Sequence, residues 1–159
     1  MKKITHLLSA AFVIGILTLS GFQAKAHCEI PCGIYGDSVR IALLYEHIET
    51  IEKSMNQINE LSKAESPDYN QLVRWVMNKE EHAKKIQEIV SQYFLHQRVK
   101  PVSSDDDAAY RKYTKQLELL HHISVFAMKS KQSTDLSIID TLREKVHLFE
   151  HAYFDEHKH

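Results

Sequence analysis

The amino-acid sequence predicts an all-α protein, an antiparallel four-helix bundle, on three grounds. Four stretches repeat apolar residues every three or four positions, the spacing that gathers them on one helix face. Short turn signals, Ser66-Pro67, Pro101 and Ser133-Thr134-Asp135, separate those stretches. With four glycines and three prolines in 159 residues, the chain also lacks the turn residues that a sandwich or barrel needs roughly every 8–12 positions. A composition of 43% apolar and 26% charged residues suits one globular domain. The formal charge of −1, with no basic stripe, argues against a nucleic-acid partner. Histidine stands out at 11; the chain has an interest in metals or protons.

Residues 1–26 read as a cleaved secretory signal peptide. Lys2 and Lys3 form a positive start, residues 7–19 are an apolar run, and Ala24-Lys25-Ala26 gives a small-x-small cleavage site. The run is short for a membrane span of about 20 residues, so no membrane association is expected after cleavage by signal peptidase. A lipoprotein signal would need a small residue before Cys28, and His27 stands there. Cutting after Ala26 leaves 133 of the 159 residues and removes Lys2, Lys3 and Lys25 but no acid, so 17 basic residues face 21 acidic ones and the charge becomes −4. The expected destination is periplasmic or secreted, where exposed thiols tend to pair. The new N-terminus is His27.

The bundle is expected over residues 38–159. Helix one starts near Ser38, capped by Asp37 or Ser38. Its seam is Ile41, Leu44, Ile48, Ile51, Met55 and Ile58, and it ends near Ser62. Helix two opens at Ser66-Pro67, a cap followed by proline at the first helical position. It runs to about Gln97 with Leu72, Val73, Val76, Ala83, Ile86, Val90, Tyr93 and Phe94 inward. Its rhythm lapses at Asn78-Lys79-Glu80-Glu81-His82, read as a solvated face in preference to a polar docking site. In helix three, Asp105, Asp106 and Asp107 suit the positive end of the helix dipole. Ala109, Tyr113, Leu117, Leu120 and Ala127 face the core. Ser133-Thr134-Asp135 caps helix four, whose core positions are Leu136, Ile139, Leu142, Val146, Phe149 and Tyr153. Short loops between four such helices give antiparallel neighbours.

Residues 27–37 precede the bundle and begin His27-Cys28-Glu29-Ile30-Pro31-Cys32-Gly33-Ile34-Tyr35. A bare CxxxC is compatible with a small disulfide or with two ordinary thiols. The context adds a free amine and an imidazole, enough donors to enclose one metal ion. The amine and the Cys28 amide nitrogen close one chelate ring, and the amide with its own sulfur closes another. The turn at Pro31 brings the Cys32 sulfur round. This planar set of two nitrogens and two sulfurs suits Ni(II) or Cu(II) better than tetrahedral zinc. The His27 imidazole is left over as a fifth, axial ligand.

His-Cys-x-x-Pro-Cys-Gly-x-Tyr at a mature N-terminus resembles the nickel hook of the nickel-containing superoxide dismutases. The resemblance implies four-helix-bundle subunits assembled as a homohexamer with one nickel ion per subunit. It also implies disproportionation of superoxide to dioxygen and hydrogen peroxide through a Ni(II)/Ni(III) cycle. It places metal ligands on His27 (α-amine and side chain), Cys28 (amide nitrogen and sulfur) and Cys32 (sulfur). Pro31 matches the turn proline, and Tyr35 matches the tyrosine lining the substrate's approach. Outside the hook the match departs: Gly36-Asp37 follows Tyr35 where Tyr-Asp-Pro is more usual. A helix-one glutamate and a helix-two arginine hold the imidazole in the family. Here the glutamate's position falls near Ala42, with Glu46 one turn on as a substitute. The arginine's Lys-Glu-x-Arg-Ala setting reads Lys79-Glu80-Glu81-His82-Ala83, which puts His82 in its place. Glu46 and His82 are thus candidates to tune the imidazole and, with Tyr35, to supply protons.

Two rival readings exist. Glu118-x-x-His121 and Glu144-x-x-His147 fit the ligand pattern of di-iron carboxylate bundles. Yet 13 glutamates and ten histidines in the 133 residues give about one such pair by chance. The second rival is a secreted metal-binding or storage bundle with a Cys28–Cys32 disulfide and a histidine-rich tail (His147, His151, His157, His159). His47, His96 and His122 carry no pattern and read as surface or satisfied bundle residues.

Overall fold

The computed structural model describes residues 31–154. The chain divides into two units, Met1–Cys32 and Gly33–His159. In the first only Pro31 and Cys32 fall within the described residues, so the leader, His27 and Cys28 lie outside them, as do His157 and His159 at the other end.

The second unit is the expected bundle. Its described residues form α1 (Asp37–Leu61), α2 (Tyr69–Glu88), a π-helical continuation of α2 (Ile89–Arg98), α3 (Asp107–Gln132) and α4 (Ser137–Phe154), with no strand. α1 packs on α2 and α4, and α3 packs on the same two. The pairs Asp37–Tyr93, His47–His82 and Ser54–Asn78 descend along α2 as they ascend α1, so these helices run antiparallel.

The α1 seam is as the spacing predicts: Ile41, Leu44, Ile48, Ile51, Met55 and Ile58 are all buried. In α4, Ile139, Leu142, Val146 and Phe149 are buried, while Leu136 is exposed ahead of the helix. α2 departs from expectation. Its buried line runs through Lys79, Ala83 and Ile86, leaving Val73 54% and Val76 37% exposed. A buried lysine breaks the apolar rhythm, so a reading by hydrophobicity slides one step round the helix. α3 behaves likewise: Gln116, Leu119, Leu120, Ile123, Ala127 and Ser130 are buried, and Tyr113 and Leu117 are half-buried beside them.

Caps also correct the sequence reading. Asp68, not Ser66, caps α2 by accepting from the Gln71 amide, and Pro67 lies outside the helix. Asp106 caps α3 through the Ala109 amide. Gly36 occupies the N-cap of α1. Asp37 is therefore the first helical residue, with its carboxylate engaged elsewhere.

Candidate metal centre

Pro31 is half-buried and Cys32 is exposed. Gly33 follows with φ +80°, a left-handed conformation that side-chain-bearing residues adopt only under strain. Tyr35 is 40% exposed, and its ring meets the Tyr93 ring edge-on at 6.0 Å between centroids. The Arg98 guanidinium lies over the Tyr35 ring, 4.3 Å from its centroid.

Asp37 ties this corner together. Its Oδ1 accepts from the Tyr93 hydroxyl at 2.5 Å and from Arg98 Nε at 2.8 Å. Its Oδ2 accepts from Arg98 Nη2 at 2.7 Å and from the Tyr153 hydroxyl at 2.9 Å. The π-helix makes the arrangement possible. Tyr93 and Arg98 are five residues apart, which in an α-helix would turn them about 140° away from each other; the i→i+5 winding of a π-turn stacks them. Burial pushes the Asp37 carboxyl up, but Arg98 and the two hydroxyls outweigh it and hold it below the usual carboxylate range. The same carboxylate, after burial itself, raises Tyr93 and Tyr153 to about 12, so both stay protonated donors. Beneath them Phe94 packs edge-on to Phe149 and Tyr153.

A second polar inclusion lies farther along the α1–α2 interface. His47, 8% exposed, and half-buried His82 face each other with Nδ1 atoms 3.1 Å apart and rings nearly perpendicular. One ring donates and the other accepts. Burial holds both imidazoles below their ordinary pKa, with nearby Lys85 acting the same way and Glu46 opposing it. Glu46 itself is exposed, as is Ala42. The run expected to be a solvated face is thus largely turned inward: Asn78 donates to Ser54 Oγ, Lys79 donates to three carbonyls, and His82 meets His47.

The structure therefore brings Tyr35 together with Tyr93, Arg98, Asp37 and Tyr153, and brings His82 to His47. Sequence reasoning missed Asp37, Arg98 and His47. Asp37 read as a candidate N-cap of helix one, and nothing local marks Arg98 as its partner. The di-iron pattern is not assembled: Glu118, His121, Glu144 and His147 are all exposed, and no group of three metal-ligating side chains forms among the described residues.

The described residues form an all-α bundle whose first helix begins beside a cluster of Tyr35, Asp37, Tyr93, Arg98 and Tyr153. A family model described as nickel-containing superoxide dismutase matches residues 22–158, and the chain belongs to that family. No curated protein and no solved structure matches it. The protein is accordingly an oxidoreductase whose metal is nickel and whose substrate is superoxide; nothing favours a storage or di-iron role.

Proposed function

We propose that one nickel ion per chain is held by the N-terminus of the exported protein. His27 provides its α-amine and imidazole, Cys28 its amide nitrogen and thiolate, and Cys32 its thiolate, with Pro31 turning the chain between the sulfurs. The observation that carries this reading is the coincidence of that donor set with a family match spanning residues 22–158. The donors suit the metal, since soft thiolates and an ionised amide stabilise a higher-valent nickel. Nickel, when bound, supplies the one-electron couple by which one superoxide leaves as dioxygen and the next as peroxide. Everything else falls to the chain. Tyr35 lines the approach and orders solvent near its hydroxyl, and Glu46 and His82 orient the His27 imidazole. The two protons that peroxide takes up arrive by way of these groups.

Signal peptidase releases the ligand amine, so export and maturation are one event and the enzyme works in the periplasm or outside the cell. Assembly is as a homohexamer. Supporting this, Tyr69, Val73 and Met77 form an exposed apolar stripe on α2 at 69%, 54% and 66% exposure, and such patches commonly mark protein–protein contacts. Native mass spectrometry of the exported protein tests these points together. The expected species is a hexamer of chains beginning at His27, each with one nickel. Full nickel loading and activity in a chain with one extra residue before His27, or in Cys28→Ser/Cys32→Ser, would overturn the ligand assignment.

A further inference from the structure

Among the described residues three histidine pairs are in ring contact, and they differ in what they can hold. His47 and His82 satisfy each other at 3.1 Å within the α1–α2 interface, where His47 is only 8% exposed. His121 and His122 are neighbours in α3 with centroids 6.4 Å apart, and adjacent helical residues point about 100° away from each other. His147 and His151 lie four apart in α4, so they stand one above the other on a single helix face. Both are exposed. Their ring centroids are 4.4 Å apart, with the rings nearly perpendicular at 85°.

Two imidazoles bound side by side to one ion, each through a nitrogen about 2.0–2.1 Å from the metal, keep their centroids about 4.5–5 Å apart. The His147–His151 pair is within a small side-chain adjustment of that spacing. Four residues is also the interval by which a helix presents two histidines to one metal ion, and imidazole nitrogen suits Ni(II), Cu(II) and Zn(II). The pair occupies the last two turns of α4, where the negative end of the helix dipole favours a cation. Glu144, one turn earlier, is engaged by Lys145 at 3.1 Å, and no group of three metal-ligating side chains forms among the described residues. Water therefore fills the remaining positions. We propose that His147 and His151 form a second metal site, exposed and exchangeable, that takes Ni(II), the metal of this family. With no thiolate or ionised amide to stabilise a higher valence, the ion stays Ni(II), and the site captures metal without turning over superoxide. The proposal rests on the family's metal and is independent of which residues form the hook.

The test adds Ni(II) to the reduced, nickel-loaded full chain and follows the histidine ring signals by NMR. Hydrated Ni(II) is paramagnetic and broadens the protons around it. The His147 and His151 rings should broaden first, ahead of exposed His96 and His121. His147→Ala and His151→Ala replace exposed side chains and keep the fold. Each should weaken binding by roughly tenfold or more, because one ring alone forms no chelate. Unchanged broadening of His151 in His147→Ala overturns the proposal, as does a wild-type response shared equally with His96 and His121. His157→Ala/His159→Ala should leave the response in place; its loss there would move the site to the tail and overturn the proposal. The hook is probed separately by Cys28→Ser/Cys32→Ser, which should abolish dismutation and keep the broadening of the two rings. Dismutation retained in that variant sinks the hook ligands alone. Broadening lost in it sinks the His147–His151 site alone.

Discussion

The bundle takes in a charge near each end, half-buried Asp37 and buried Lys79, and the two are satisfied in opposite ways. At the N-terminal end of α1, Asp37 meets side chains: a guanidinium from the π-helix and hydroxyls from the π-helix and α4. Toward the other end, where Asn59 bonds the Thr134 carbonyl, Lys79 meets backbone. It is 4% exposed, and its ammonium donates to the carbonyls of Ser130, Lys131 and Ser133 at 2.7, 2.6 and 3.0 Å. Those carbonyls belong to the end of α3 and the residue that follows it, where helices leave acceptors unsatisfied and the dipole favours a cation. Lys79 therefore closes a helix end and goes no further. Asp37 links three elements, and through Arg98 it reaches the face of Tyr35. Buried charge can serve stability alone or stability and site together, and its partners decide which.

The largest effect should come from Asp37→Ala. Removing the carboxylate leaves Arg98 without its counter-charge and strands two hydroxyls, at a cost of about 3 kcal/mol in urea unfolding. Dismutation per folded chain should fall as well, because Tyr35 loses the stacked guanidinium. Lys79→Ala should cost somewhat less, about 2 kcal/mol, with faster amide exchange in the last turn of α3. Its activity per folded chain should be unchanged. Equal activity losses in the two variants would break the contrast.

The His47–His82 pair lies between these extremes, and pH probes it. Both folded pKa values are lowered, so the unfolded chain takes up protons first as pH falls through its ordinary imidazole value of about 6.5. The pair's contribution is complete above that value and lost as pH drops towards and through the lowered ones. Stability should decline between about pH 7 and 5, and His47→Gln/His82→Gln should flatten that decline. Asp37 contributes in a lower window: with its carboxyl depressed, its share is whole above about pH 4 and lost below it. Asp106→Ala, a cap remote from both buried charges, should cost only about 1 kcal/mol and leave activity unaltered.

The contrast also explains what could be read from the chain. The α1 seam was legible because each of its six predicted residues is apolar and faces the core. The α2 seam was legible only from Ala83 onward: Ala83, Ile86, Val90, Tyr93 and Phe94 are buried as predicted, whereas before them Lys79 holds an inward position and Val73 and Val76 are exposed. His82 was singled out through its setting as a partner for the His27 imidazole, but its partner among the described residues is His47, which carried no pattern because the two lie 35 residues apart. The π-helix was invisible: an i→i+5 winding has no distinct apolar period over ten residues, and only the convergence of Tyr93 and Arg98 on Asp37 shows what it is for.

The sequence by itself determined the helical bundle, through apolar spacing, and pointed to a nickel family through a motif of a few consecutive residues. Local order suffices for both. The tertiary structure alone decided that Asp37 is a hub and not a cap, that Lys79 closes α3, that two histidines share a contact, and that Arg40 lies over the Tyr93 ring. Each of those depends on which groups from distant segments reach the same few ångströms, and side-chain charge is either neutralised or left over only once they do.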